Sequence, residues 1–187
     1  MKRIIPTIAA ALAVCLTATA QNQQVMNSKK TLVAYFSATG TTERVAKLIA
    51  EVTGGDLYEI TPVQEYTAAD LDWTDKTSRS TKEMNDSKSR PAIKADLQNA
   101  GSYDVIYIGY PIWWNLAPRA VNTFLETYDF SGKTVIPFAT SGGSGITNSA
   151  AQLRKEYPAL DWQNGKLLNG ASRTAIEAWV NSKYIRK

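Results

Sequence analysis

The chain has 187 residues, 44% of them hydrophobic, with a formal net charge of +4 and no histidine. The length left after an expected N-terminal signal suits one domain with a proper core, and without the signal's Lys2 and Arg3 the net charge is +2, too close to neutral to argue for nucleic acid or an anionic membrane surface as a partner. The only cysteine, Cys15, falls inside a predicted export signal, so disulfides, Cys/His zinc sites and Ser-His or Cys-His catalysis are excluded by inventory, and any chemistry is expected to come from a cofactor.

Residues 1–20 have the layout of a secretory signal. Lys2 and Arg3 form a basic start, Ile4 to Thr17 is mostly apolar, and Ala18-Thr19-Ala20 supplies a small-x-small cleavage site. The apolar run is short for a membrane span and contains Pro6, so the mature chain is expected to be exported, periplasmic and without a transmembrane helix. Leu12-Ala13-Val14-Cys15 looks like a bacterial lipoprotein signal, which leaves anchoring through Cys15 as the alternative. A short polar segment, residues 21–30, then precedes a single domain over residues 31–187.

Thr31 to Phe36 has the length and the β-branched and aromatic content of a buried strand. Val45, Leu48, Ile49 and Val52 then recur at helical spacing, and Gly54-Gly55 stops that helix. Leu57 to Ile60 reads as a second strand. Thr61 to Arg90 is a polar stretch too long for an ordinary connection, with helix expected around Thr81 to Met84; a cover over a site and a solvated insertion are both open readings. Val105 to Tyr110 is a third, central strand. Pro118 opens a helix with Val121, Phe124, Leu125 and Tyr128 as its buried stripe. Thr134 to Ala139 is a fourth strand, where Pro137 predicts a bulge or a missing ladder bond. Ile146 to Tyr157 is a helix, Lys166 to Leu168 a short strand, and Ile176, Trp179 and Val180 face inward on a last helix. This alternation predicts a parallel sheet covered on both faces.

In such a sheet ligands bind at the carboxyl ends of the strands, where strand order reverses. Three loops there carry the candidate site. The first, Ser37-Ala38-Thr39-Gly40-Thr41-Thr42, offers hydroxyls and backbone amides at a helix N-terminus, which suits a phosphate dianion. It has no lysine and no nucleoside-triphosphate or dinucleotide fingerprint. The second, Tyr110-Pro111-Ile112-Trp113-Trp114-Asn115, carries paired tryptophans, of which one can be core and the other a platform for a planar ring. The third, Thr140-Ser141-Gly142-Gly143-Ser144-Gly145, has little side-chain bulk and amides able to meet a ligand edge. Each loop also has a plain structural reading, as a helix cap, core or connector; the convergence of all three on one edge is the signal.

These segments resemble the flavodoxin-like family. Ser37-x-Thr39-Gly40-x-Thr42 is similar to its phosphate loop, Gly109-Tyr110-Pro111-Ile112-Trp113-Trp114 to the segment against the isoalloxazine ring, and Phe138-Ala139-Thr140-Ser141-Gly142-Gly143 to the second ring loop. The resemblance implies a three-layer, doubly wound α/β fold with a five-stranded parallel sheet in order 2-1-3-4-5 and non-covalent flavin mononucleotide (FMN). It further implies that Ser37, Thr39, Gly40, Thr41 and Thr42 hold the phosphate, while Pro111, Ile112, Trp113, Trp114, Thr140, Ser141, Gly142, Gly143 and Ser144 frame the ring. No residue is expected to act as a catalytic acid or base, and no metal is expected.

The chain departs from the common pattern in its near-neutral charge, its export signal and the lack of an aromatic in the third loop. Candidates to cover the open ring face are Tyr66, Trp73 or a second copy in a homodimer. Three functions follow: electron transfer to a redox partner protein or small-molecule acceptor, FMN-dependent NAD(P)H:quinone-type oxidoreduction, and a flavin-free binding domain on the same scaffold.

Overall fold

A computed structural model of the chain describes residues 29–184. The expected export signal over residues 1–20, with Cys15, and nearly all of the 21–30 segment lie outside the described residues.

The strands are β1 (Thr31–Tyr35), β2 (Asp56–Glu59), β3 (Val105–Pro111), β4 (Thr134–Thr140), β5 (Asp161–Trp162) and β6 (Lys166–Leu167). The helices are α1 (Thr41–Thr53), α2 (Arg79–Asn85), α3 (Arg119–Thr127), α4 (Thr147–Glu156) and α5 (Arg173–Tyr184). The sheet is parallel throughout, in the order β2-β1-β3-β4-β5, with β6 continuing beside β4. The expected order is therefore found, with two short strands where the sequence suggested one.

Strand alternation divides the core between two layers. Leu32, Ala34, Ile106, Ile108 and Tyr110 pack against Val121 and Phe124 of α3 and Leu153 of α4. Val33, Tyr35, Tyr107 and Phe138 pack on the opposite face against Val45 and Ile49 of α1 and Ile176 and Val180 of α5. Strands covered on both sides have no solvent face, which is why β1 and β3 read as apolar runs rather than as alternating patterns.

Pro137 explains the split fifth strand. Along β4, the carbonyls of Lys133, Val135 and Ala139 accept from Asp161 (2.9 Å), Gln163 (2.8 Å) and Leu168 (2.8 Å) on the β5–β6 side. Pro137 faces the same side by alternation and has no N–H to give. Its pairing with Ile108 of β3 is unbroken, so β4 carries no bulge. The missing bond instead separates β5 from β6, where Gly165 sits so close that a Cβ would lie 2.6 Å from the Pro137 carbonyl oxygen.

The long insertion is mostly exposed but pinned to the rest of the domain at several points. Its ends are held by Val63 N–H to Ala92 O and Lys94 N–H to Thr61 O, both 2.8 Å. Buried Arg119 donates to the carbonyls of Glu83 (3.4 Å) and Met84 (3.2 Å), fastening the last turn of α2 to α3. Between these anchors, Asp70, Asp72 and Asp75 close short turns with Thr67, Thr74 and Thr77. Those hydrogen bonds hold all three carboxyls below the usual range.

Candidate functional site

At the carboxyl edge of the sheet lies a cavity of about 480 Å³, within the size range of small-molecule sites. Ser37, Thr39, Thr41 and Thr42 line one end, Pro111, Ile112 and Trp113 another, and Thr140, Ser141 and Gly142 a third side. Of the residues expected to contribute, Gly40, Trp114, Gly143 and Ser144 do not line it. The sequence reading missed Ala38, Leu71, Asn169 and Gly170, which do. No lining side chain is charged.

Gly40 shapes the first loop without touching the cavity. It is the N-cap of α1 at φ 81°, a left-handed conformation that only glycine adopts cheaply, and no side chain caps the helix. The first amides of α1 are thus left for something outside the chain's own side chains. Thr39 and Thr41 are exposed beside them, with Ser37 half-buried. Thr42 differs: it is fully buried, and its hydroxyl lies 2.8 Å from that of Thr140. It braces the loop while its side chain also forms part of the cavity lining.

Thr140 gathers all three loops. Besides its hydroxyl bond to Thr42, its carbonyl accepts the Ile112 N–H at 2.8 Å. The third loop is pre-formed in a way the sequence reading did not foresee. Ser141 Oγ accepts from the amides of Gly143 (3.1 Å) and Ser144 (2.8 Å), while the Ser141 amide donates to Asn169 Oδ1 (2.8 Å). Three expected ligand donors are therefore engaged within the protein, and among the described residues the Gly142 amide is left without an internal partner.

The paired tryptophans differ in exposure because Trp114 sits in a turn rather than in extended chain, so neither is a core residue. Trp113 is half-buried, with its ring edge-on to Phe36 (5.5 Å) and Tyr66 (5.4 Å). Trp114 is 41% exposed at the tip of a tight turn. There Trp113 and Leu116 exchange backbone bonds of 3.0 and 2.9 Å around Trp114 (φ 47°) and Asn115 (φ 63°), a type I′ geometry. Asn148 Nδ2 of α4 donates to the Asn115 carbonyl at 3.0 Å, steadying that tip.

Tyr66 does not cover the cavity. Its ring packs behind Trp113 and Phe36 under the Arg79 guanidinium (4.1 Å), and its hydroxyl donates to Glu83. Burial, reinforced by that carboxylate, pushes the Tyr66 hydroxyl well above the ordinary tyrosine value. Trp73, by contrast, stands 76% exposed beside Trp114.

The flavodoxin family model matches residues 30–183. The chain belongs to the flavodoxin family. Similar solved structures include a candidate flavoprotein from Bacteroides eggerthii DSM 20697, 59% identical over 85% of this chain and 99% of that one, with a TM-score of 0.81. A second, from Bacteroides uniformis ATCC 8492, is 62% identical over 81% of this chain and 97% of that one, with a TM-score of 0.79. A flavoprotein in complex with FMN from Lactobacillus acidophilus NCFM is 22% identical over 84% and 99%, with a TM-score of 0.67, which speaks for the shared fold alone. No curated protein matches the chain. Among the described residues of this flavodoxin-family chain, no helix is long and apolar enough to cross a membrane.

Proposed function

We propose that this flavodoxin-family chain holds one FMN non-covalently and passes electrons through it to a redox partner protein or a small-molecule acceptor. The observation that carries the reading is the junction at Thr140, which ties three loops around one cavity with an uncapped helix start at one end and Trp113 at the other.

The donor set fits the group. A phosphate dianion suits neutral hydroxyls and free amides at a helix N-terminus, where no carboxylate lines the cavity to repel it. Pro111, Ile112 and Trp113 present a largely apolar wall to a flat ring, and Gly142 brings an amide without side-chain bulk. When bound, the flavin supplies the electron-transfer chemistry that the chain's own side chains lack. The chain's part is to orient the ring, exclude water from the Trp113 side and withhold positive charge from its surroundings. That last property is expected to make the bound flavin harder to reduce than free FMN.

The support for this reading is the family membership, the shape of the cavity and the FMN complex of the Lactobacillus acidophilus relative. The proposal includes export, on the pattern of residues 1–20, and one flavin-binding domain over 31–187. The absorbance spectrum of the purified protein, followed by FMN titration of any flavin-free fraction, tests it. A yellow chromophore or stoichiometric uptake is expected; neither would leave a flavin-free binding domain on this scaffold.

One observation favours NAD(P)H:quinone-type oxidoreduction as the second reading: no third-loop aromatic lines the cavity, so one side stays open to a substrate. Steady-state NADH or NADPH oxidation with a quinone separates the two. Turnover no faster than with free FMN supports the carrier.

A further inference from the structure

Tyr66, Glu83 and Arg79 form a largely enclosed group that holding a flavin does not require. The Tyr66 hydroxyl donates to Glu83 Oε2, and Glu83 Oε1 accepts from Arg79 Nε at 2.7 Å, with the Glu83 side chain only 12% exposed. The guanidinium lies 4.1 Å from the centre of the Tyr66 ring, and its Nη1 donates to the Gln64 carbonyl at 2.8 Å. The phenol ring stands edge-on to Trp113, with centroids 5.4 Å apart and planes at 80°. Trp113 lines the cavity and Tyr66 does not. A phenol therefore sits one ring behind the cavity wall, with a carboxylate already on its proton.

That arrangement suits one-electron chemistry. A phenol that loses an electron becomes a strong acid, so it yields the electron most readily when a base already holds its proton. The guanidinium over the Tyr66 ring opposes a positively charged ring but not a neutral one, which makes the proton leave with the electron. Glu83 is placed to take that proton along the existing hydrogen bond, and Arg79 keeps the carboxylate fixed. Burial, reinforced by the same carboxylate, keeps the hydroxyl protonated at rest, so the proton is there to be moved. At their separation Trp113 and Tyr66 are in edge-to-face contact, and an electron passes between them without crossing a gap.

We propose that Tyr66 and Glu83 restore Trp113 whenever its indole loses an electron to a one-electron oxidant in the cavity. Trp113 gives one electron to the oxidant and becomes an indole radical cation. Tyr66 then gives one electron to Trp113 and its hydroxyl proton to Glu83 Oε2, leaving a neutral tyrosyl radical beside a neutral carboxylic acid. Return of the electron from the reduced oxidant, and of the proton from Glu83, regenerates the phenol and the carboxylate. The wall of the cavity is thereby spared irreversible oxygenation of its indole. The inference rests on the flavin reading for the oxidant, which in the test is photoexcited oxidised FMN; the three side chains and their contact with Trp113 stand without it.

Transient absorption of the FMN-loaded full chain after a laser pulse tests it. The indole radical band is expected to decay as a tyrosyl band rises, more slowly in heavy water than in ordinary water. Tyr66→Phe keeps the ring and is expected to lose the tyrosyl band. Glu83→Gln keeps an acceptor but not a base, and is expected to slow the tyrosyl rise about tenfold. Under prolonged illumination, peptide mass spectrometry is expected to find more oxygenated Trp113 in both variants than in wild type. Circular dichroism and FMN titration check that the variants fold and load, and the heavy-water comparison needs no variant. A tyrosyl band that survives Tyr66→Phe, or a rise that neither Glu83→Gln nor heavy water alters, overturns the proposal. So does an indole radical that recovers with no tyrosyl band. If the protein takes up no FMN, the proposed function fails separately, and flash-generated ruthenium(III) tris(bipyridine) as the oxidant, with the same two variants, still decides the role of Tyr66.

Discussion

The hydroxyls of Thr42 and Thr140 lie 2.8 Å apart in a fully enclosed position, joining the first turn of α1 to the last residue of β4 across 98 positions of sequence. Because the Thr140 carbonyl also holds Ile112, a single residue keeps three loops in one relative position.

Replacing either hydroxyl by a methyl group tests that junction. Thr42→Val and Thr140→Val are each expected to lower stability to urea by about 1–2 kcal/mol, since each leaves a buried partner unpaired. The double variant should lose less than the sum, by about 1 kcal/mol. Strict additivity would mean that the two hydroxyls do not interact.

Thr39 sits on the same loop with the opposite role: exposed and open to the cavity. Thr39→Ala is expected to leave the unfolding midpoint within about 0.5 kcal/mol of wild type while weakening FMN binding several-fold. Adding Thr42→Ala should weaken binding further with the fold retained. Flavin fluorescence titration reads both, and an unchanged affinity would mean that the phosphate lies elsewhere.

Trp114 occupies a backbone conformation suited to asparagine or glycine. Trp114→Asn should therefore hold or raise the thermal midpoint, although a large aromatic side chain is lost. A drop in stability beyond about 1 kcal/mol would show that the indole contributes more to packing than its backbone conformation costs.

Alkaline pH addresses the core. Burial pushes the Tyr110 hydroxyl up to about 12, so the folded state keeps a proton that the unfolded chain releases near 10. Stability linked to this group is fully present below pH 10 and is lost as pH rises through 12. The loss amounts to about 2–3 kcal/mol for so buried a group. Tyr110→Phe is expected to be slightly less stable than wild type at pH 8, lacking the 3.2 Å contact with Ser149, yet to lose less between pH 10 and 12. Parallel urea midpoints across that range would contradict the assignment.

Gly109 in β3 leaves no room for a side chain, because a Cβ there would lie 2.1 Å from Phe138 Cζ. Gly109→Ala is expected to destabilise by about 1–3 kcal/mol through overpacking of an enclosed ring. Equilibrium unfolding measures it; a neutral result would require Phe138 to have another place to go.

Much of this architecture was legible in the sequence. The apolar runs and helical stripes located the central strands and their helices, and the loop residues Thr39, Trp113 and Ser141 do meet around one cavity. The rest depends on relations that a linear reading does not carry. The missing ladder bond that Pro137 predicts is found, but which neighbour loses it depends on which side each residue faces, and the gap falls between β5 and β6. In the sequence the third loop offers free amides, because the reach of the Ser141 hydroxyl to Gly143 and Ser144 is a matter of turn geometry. Asn169-Gly170 carried a turn signal just after a strand and could have been found by extending the edge rule to the fifth strand. Leu71 had no signal; it reaches the site through the path of the insertion.

The interruption opposite Pro137 has a bearing on how copies of the molecule meet. A foreign strand laid along that rim would find two paired residues, then a gap, then two more, too little to template a continuous ladder. Strand addition is therefore disfavoured on that side, while the β3–β4 register runs unbroken past Pro137.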